Sequence, residues 1–311
     1  MSVPVPVPLG LGLAAVGRPA YITTARDADL GDPAERSIDA LRARAHELLD
    51  EAWALGIRYV DAARSYGFAE EFLGSWLAVH PERRASLTIG SKWGYAYVGD
   101  WKMDAAVHER KEHSAAMFDR QWPETLEALG TAPDLYLIHS VTPESPVLMD
   151  AAVLERMRRL RDEGVRVGLS TSGPRQGEVL RAALALADTP FRAVQSTWNL
   201  REASAGEALA AAHDAGWTVV LKEVLANGAL AEAEPGDILA RTAPGTDPDV
   251  FAIGVARAQS FADVVLLGAT TRAHLRRGAV APARSIERSE LDALAVDPVV
   301  YWRERSERPW R

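Results

Sequence analysis

Short apolar runs rich in β-branched residues alternate with longer amphipathic runs along almost the whole chain, and this alternation restricts the possible folds more than any other feature. Apolar spacing predicts strands at Leu9–Leu13, Ile57–Asp61, Leu87–Lys92, Leu135–His139, Val165–Ser170, Ala193–Ser196, Thr218–Lys222 and Val264–Gly268. Helices are predicted over about 37–55, 69–78, 113–129, 150–163, 175–187, 203–215, 246–259 and 286–296. The first helix shows the pattern: Ile38, Leu41, Ala45, Leu48, Leu49, Ala52 and Leu55 recur at helical spacing, Gly56 supplies a stop, and Ile57–Tyr59–Val60 starts the next strand. Strands separated by helices pair in parallel through right-handed crossovers. Eight such units in 311 residues favour an α/β class, (β/α)8 TIM barrel. An open doubly wound sheet is the alternative if one strand is miscounted.

No linker or longer repeat interrupts the series, and the Pro/Gly-rich stretch 234–248 is loop-sized, so the whole chain, 1–311, reads as one domain. The tail 297–311 carries Tyr301, Trp302 and Trp310 among many charges, which predicts a segment packed back near the barrel mouth. The chain has no cysteine, which excludes disulfides, thiolate metal sites and a cysteine nucleophile. No metal is expected. A net charge of −8 argues against nucleic-acid binding. Residues Met1–Gly17 lack charge, but Pro4, Pro6 and Pro8 break a helix and no basic residue precedes the run. That excludes a signal peptide or membrane span from the reading and leaves the cytoplasm as the default.

Several motifs are formal matches only. Gly10-x-Gly12-x-x-Ala15 fits a dinucleotide fingerprint, yet Gly17, Arg18 and Pro19 follow where its helix should run. His108 and His113 are five residues apart and would diverge by about 140° on a helix, so they do not form a zinc-peptidase motif. Arg156, Arg158, Arg159 and Arg161 read as a solvated helix face.

Barrel enzymes place their chemistry at the C-terminal ends of strands. Here three successive strands end on an ionisable residue: Asp61, with Tyr66 in the loop after it, Lys92 and His139. Ser170, Thr171 and Gln195 are neutral polar groups at later strand ends. A buried lysine beside an aspartate stays cationic, and a cation beside a phenol is expected to lower Tyr66 below its usual pKa of about 10. Such a set can protonate an oxygen as a carbonyl gains a hydride, with His139 orienting the carbonyl or sharing the proton.

The run Gly56-Ile-Arg-Tyr-Val-Asp61-Ala-Ala-Arg-Ser-Tyr66-Gly67, followed by Glu70-Glu71-Phe-Leu-Gly74, resembles the aldo-keto reductase signature. Ser91-Lys92-Trp93-Gly94, Asp134-Leu-Tyr-Leu-Ile-His139, Gly164-Val-Arg-Val-Gly-Leu-Ser170 and Val194-Gln195-Ser-Thr-Trp-Asn199 resemble its next motifs, so the likeness spans about 9–280. The resemblance implies a barrel of monomeric type, a monomer or weak homo-oligomer, that binds NAD(P)H in extended form without a Rossmann domain. It implies a catalytic set of Asp61, Tyr66, Lys92 and His139, with hydride from nicotinamide C4 and the proton from Tyr66. It puts Gly12, Leu13, Asp61, Ser170, Thr171 and Gln195 at the nicotinamide, and Gly268, Thr270, Thr271, Arg272 and His274 at the adenosine end.

Two departures stand out. Where the family carries a nicotinamide-stacking tyrosine, this chain reads Leu221-Lys222-Glu223-Val224-Leu225-Ala226-Asn227-Gly228, which leaves Trp198 as the candidate to stack and Lys222 to reach the pyrophosphate. At the adenosine end the usual basic contacts become Gly268 and His274. NADPH is the cofactor by family, NADH the alternative. Trp93, Tyr95, Tyr97, Trp101, Trp198 and Trp302 are the expected pocket walls, suited to a medium-sized aldehyde or ketone. A barrel lyase or isomerase without redox cofactor, and a nucleotide-holding sensor or partner protein, are the competing readings.

Overall fold

The computed structural model describes residues 7–22, 29–231, 238–242 and 244–308. Pro4, Pro6, Trp310 and part of the stretch 234–248 lie outside the described residues. Two short strands, β4 Tyr95–Tyr97 and β5 Glu109–Lys111, pair only with each other. The eight others are parallel and close into a barrel: β1 Leu9–Gly12, β2 Tyr59–Asp61, β3 Thr88–Trp93, β6 Leu135–Val141, β7 Arg166–Thr171, β8 Ala193–Thr197, β9 Thr218–Lys222 and β10 Val264–Leu267. Each barrel strand pairs with the next one along the chain, and β10 returns to β1 with Leu9 opposite Val265. Thr218–Lys222 stands as expected and the other strand ends shift by at most two residues, as pairing rather than hydropathy sets them.

The helices form because their apolar stripes face this barrel. In Ile38–Ala54 the buried side chains are Leu41, Ala45, Leu48, Leu49 and Ala52. The Ser37 hydroxyl accepts from Ala40 N at the start, and Gly56, at φ +78°, releases the chain after the end. Gly74 lets two helices meet, since a Cβ there would lie 2.1 Å from Ala128 O in the helix Ala115–Leu129. Among the described helices none is long and apolar enough to cross a membrane.

Among the elements not expected from the sequence, three bear on the site. The β4–β5 hairpin rises from the end of β3. A helix Arg272–Ala279 follows β10, and the tail forms a helix Pro298–Ser306 capped by Asp297. The hairpin carries too few apolar residues to show strand periodicity. The tail helix shows little amphipathic pattern because Tyr301 and Trp302 anchor it and charged residues fill the rest.

Strand periodicity explains where the chemistry sits. Side chains alternate across a strand, so residues two apart share a face. Tyr59, Leu135, Leu137, Ala193, Val220, Val264 and Leu266 form a separate cluster that fills the barrel interior. Two residues further along the same strands, the inward row reads Asp61, His139, Gln195, Lys222 and Gly268. The strands that contribute Gly10, Gly90 and Gly168 to the interior add Gly12, Lys92 and Ser170.

Candidate active site

The Lys92 ammonium is fully buried, 2.6 Å from Asp61 Oδ2, and also donates to Ala62 O at 2.8 Å. Gln195 Nε2 donates to the other Asp61 oxygen at 2.7 Å. Asp61 is thereby held by two inward side chains, one from the neighbouring strand β3 and one from β8 across the barrel. Lys92 Nζ sits 4.7 Å from the centre of the Tyr66 ring. The His139 ring meets Tyr66 edge-on with centroids 5.4 Å apart, and its Nδ1 lies 3.3 Å from Ser65 Oγ. The barrel thus brings the four expected catalytic side chains together.

The protonation balance differs from the sequence expectation. Tyr66 is not acidified in the free protein: burial, reinforced by Asp61 and Glu109, raises its pKa well above 10 against the opposing pull of Arg18. The carboxylate of Asp61 offsets the ammonium of Lys92, so the lysine does not act as a bare cation. His139 is held well below the usual imidazole range, first by burial and then by Lys92, Lys222 and Arg18, and is neutral at physiological pH.

The loop holding Tyr66 is fixed from two sides. Glu70, buried, accepts from Arg64 and from Ser91 Oγ, and Thr125 Oγ1 donates to it at 3.1 Å. Gly17 and Gly67 allow the loop after β1 to press backbone against backbone: a Cβ on Gly67 would lie 2.4 Å from Gly17 O, and Phe68 N donates to that oxygen at 2.8 Å. Beneath the hairpin, His113 Nε2 donates to His139 O at 2.7 Å.

The remaining expected residues divide. Ser170 faces inward, and its hydroxyl accepts from Ser140 N. Leu13 is buried, its N–H bonded to Asp61 O. Thr171, one residue past Ser170, faces the outer layer, where it bonds Ser196 and Gln176; it joins β7 to β8 rather than lining the mouth. The same parity removes Trp93 and Trp198 from the pocket walls. Trp93 packs on Phe118 and Trp198 on Phe261, both in the outer core. Trp198 is therefore no stacking platform at the mouth. Tyr95 does face the mouth, 5.1 Å from the His139 ring, and burial raises its phenol to about 12. Tyr97 accepts from Trp101 N, while Trp101 donates to Arg36 O and packs on Phe68. Trp302 lies in the tail helix, beside Tyr301 and under Arg305.

Lys222 replaces the expected aromatic at the end of β9. Its Nζ donates to Thr197 Oγ1 at 3.1 Å and lies 3.8 Å from Glu223, and burial pulls its pKa down to about 8. Burial alone would raise Glu223, but Arg305 and Lys222 override it and hold that carboxyl at about 2. Arg305 forks onto Glu223 from the tail helix, and Asn199 Nδ2 bridges Tyr301 Oη and Glu223 O, each at 3.0 Å. Sequence reasoning missed Glu223, Arg305, Arg18 and Glu109. The one available signal was a run of charge, Lys222-Glu223, where the resemblance leads one to expect an aromatic.

The fit to a nicotinamide cofactor differs between the two ends of the site. Near the tyrosine it is good: a Cβ on Gly268 would meet nothing within 4 Å and one on Gly12 only Leu267 O at 3.6 Å, so open backbone borders the polar inward row. At the far end Thr270, His274 and Arg276 are already engaged. The Thr270 hydroxyl donates to Asp29, His274 Nδ1 is 3.6 Å from the same carboxylate, and Arg276 forks onto Glu51. Thr271 caps the helix Arg272–Ala279 by accepting from His274 N, and Arg272 lies exposed at the first turn of that helix.

Comparison with known proteins agrees with this fold. A sequence model of the aldo/keto reductase family matches residues 32–247. An aldo-keto reductase of Gibberella moniliformis is 31% identical over 145 residues, a match covering 46% of this chain and 40% of the relative's length. Among solved structures, an aldo-keto reductase from Bacillus halodurans superposes with a TM-score of 0.67 at 20% identity, covering 96% of this chain and 95% of that one. A glycerol dehydrogenase from Gluconobacter oxydans gives 0.64 at 20% identity, over 94% and 91% of the two chains. These structures share the fold, and the family model covers more than half of the sequence. This chain belongs to the aldo-keto reductase family, whose members are NAD(P)H-dependent oxidoreductases.

Proposed function

We propose that this protein reduces an aldehyde or ketone to an alcohol with NAD(P)H, and that Tyr66 donates the proton. The observation that carries the reading is the inward row at the strand ends: a Lys92–Asp61 pair at 2.6 Å, a tyrosine over the ammonium and a neutral histidine against the tyrosine's edge. NAD(P)H, when bound, would supply hydride chemistry at this site. The remaining work falls to the chain's own groups. Neutral His139 hydrogen-bonds the substrate oxygen and holds it beside the Tyr66 hydroxyl without competing as an acid. Tyr66 gives up its phenolic proton as negative charge grows on that oxygen. Lys92, fixed by Asp61, is already oriented toward the ring when that charge forms, so little reorganisation is needed. Gly12, Ser170, Gln195 and Lys222 border the place where the nicotinamide and its phosphates would lie, and Tyr95 borders the substrate.

The test is a panel of aldehydes and ketones with NADPH and NADH, followed by cofactor absorbance, with Tyr66→Phe run in parallel. Turnover by the wild type that disappears in the variant, at unchanged cofactor affinity, is the expected outcome. Full turnover in Tyr66→Phe would remove Tyr66 from this role. Absence of both turnover and cofactor binding in a folded sample would remove the redox reading.

A further inference from the structure

In the free protein the proposed proton donor is a weak acid, because burial and Asp61 raise Tyr66 while Lys92 is spent on Asp61. A donor whose pKa stands far above ambient transfers its proton slowly. A second cation faces the same ring. Arg18, in the loop after β1, is 2% exposed, with its guanidinium carbon 5.4 Å from the centre of the Tyr66 ring and 5.2 Å from that of Tyr21. It donates at 2.6 Å to Ser65 O, the carbonyl next to Tyr66 in the chain. The same nitrogen donates at 2.6 Å to Glu109 on β5, whose side chain is 19% exposed.

We infer that Arg18 is a positioning residue for Tyr66, holding the tyrosine loop through Ser65 and favouring the phenolate that forms as the proton leaves, with Glu109 of the hairpin as the counter-ion that limits its effect. The inference rests on the reading of Tyr66 as proton donor. The charged and titratable groups around the ring are Asp61 on β2, Lys92 on β3, His139 on β6, Glu223 after β9, Glu109 on the hairpin, and Arg18 with Tyr21 on the loop, while Lys222 acts on His139. The positive groups at β3 and β9 each have a carboxylate from the barrel or its rim, Asp61 and Glu223. Arg18 has its carboxylate from a separate two-stranded element. Its field on Tyr66 is therefore one that a hairpin residue modulates.

The two partners of one ion pair give a test with opposite signs. Single-turnover reduction is measured in Arg18→Met, Arg18→Lys, Glu109→Gln and Tyr66→Phe, with cofactor affinity read by tryptophan fluorescence and folding by thermal melting. Removing the cation should slow the step about tenfold at unchanged cofactor affinity, the equivalent of about one pKa unit on the phenol. Lysine should recover part of the rate. Removing the anion should speed the step and move the alkaline limb of the pH profile down. A merely structural Arg18–Glu109 link would make Arg18→Met and Glu109→Gln slow the step alike, since both break the same bond, and that outcome overturns the inference. So does an unchanged rate in both. If Arg18→Met does not fold, Glu109→Gln decides alone, because it leaves Arg18 in place. Persistent turnover in Tyr66→Phe instead overturns the proposed role of Tyr66, whichever way the pair behaves.

Discussion

At the scale of single residues, the inward row behaves as one charge network in which every member depends on another. Lys92→Met leaves Asp61 buried with Gln195 as its remaining side-chain donor. Breaking a buried pair by removing one partner costs about 3–5 kcal/mol. The variant should therefore lose that much stability in urea unfolding as well as its activity, whereas Tyr66→Phe should lose activity with the unfolding midpoint nearly unchanged. Residue identity at this scale was legible in the sequence wherever a strand ended on a polar group: Asp61, Lys92, His139, Ser170 and Gln195 all lie in the inward row. What misled was proximity in sequence. Trp93 adjoins Lys92 and Thr171 adjoins Ser170, yet a neighbour on a strand points the other way. The acidity of Tyr66 was also misread, because a rule about one cation ignores the burial and the carboxylate that come with it.

At the scale of elements, the tail helix Pro298–Ser306 is fastened to the mouth by charge rather than by an apolar stripe. Arg305 grips Glu223, Arg308 donates to Ala226 O, and Tyr301 meets Asn199. Arg305→Ala removes the grip on a carboxylate that is only 8% exposed. A loss of about 3 kcal/mol is expected, with earlier tail release detected by limited proteolysis. The loop after β1 makes a second junction, where Asp29 meets Thr270 and His274 at the start of the helix after β10. A carboxylate there would repel a 2′-phosphate bound at this junction. Fluorescence titration should therefore find NADH bound at least as well as NADPH, and Asp29→Asn should shift the ratio toward NADPH, most strongly at low salt. Equal shifts for both cofactors would place Asp29 away from the phosphate.

At the scale of the whole molecule, two of the buried histidines, His113 and His139, make the fold sensitive to acid. Burial holds His113 at about 4 and His139 well below the usual range. An unfolded histidine titrates near 6.5, so below that value the unfolded chain binds protons that the native state refuses. Stability contributed by the neutral rings is complete above about pH 6.5 and is lost as pH falls toward about 4 for His113. At pH 5.5 the loss should be roughly 1 kcal/mol per histidine. Urea midpoints at pH 7 and 5.5 check this, and the difference should shrink in His113→Gln.

Sequence by itself determined the architecture and the chemistry-bearing row. Strand and helix periodicities of 2 and 3.6 are local, and eight repeats of them favour a closed barrel over an open doubly wound sheet. The same period of 2 carries the polar ends of six strands, and the glycines of the other two, to one opening. Only the tertiary structure decided what surrounds that row. The Arg18–Glu109, Glu223–Arg305 and Asp29–Thr270 contacts join positions 91, 82 and 241 residues apart. No local pattern records such a meeting, because loops and a tail are placed by the barrel's closure, and the pKa of a buried group is set by whichever charges that closure brings against it.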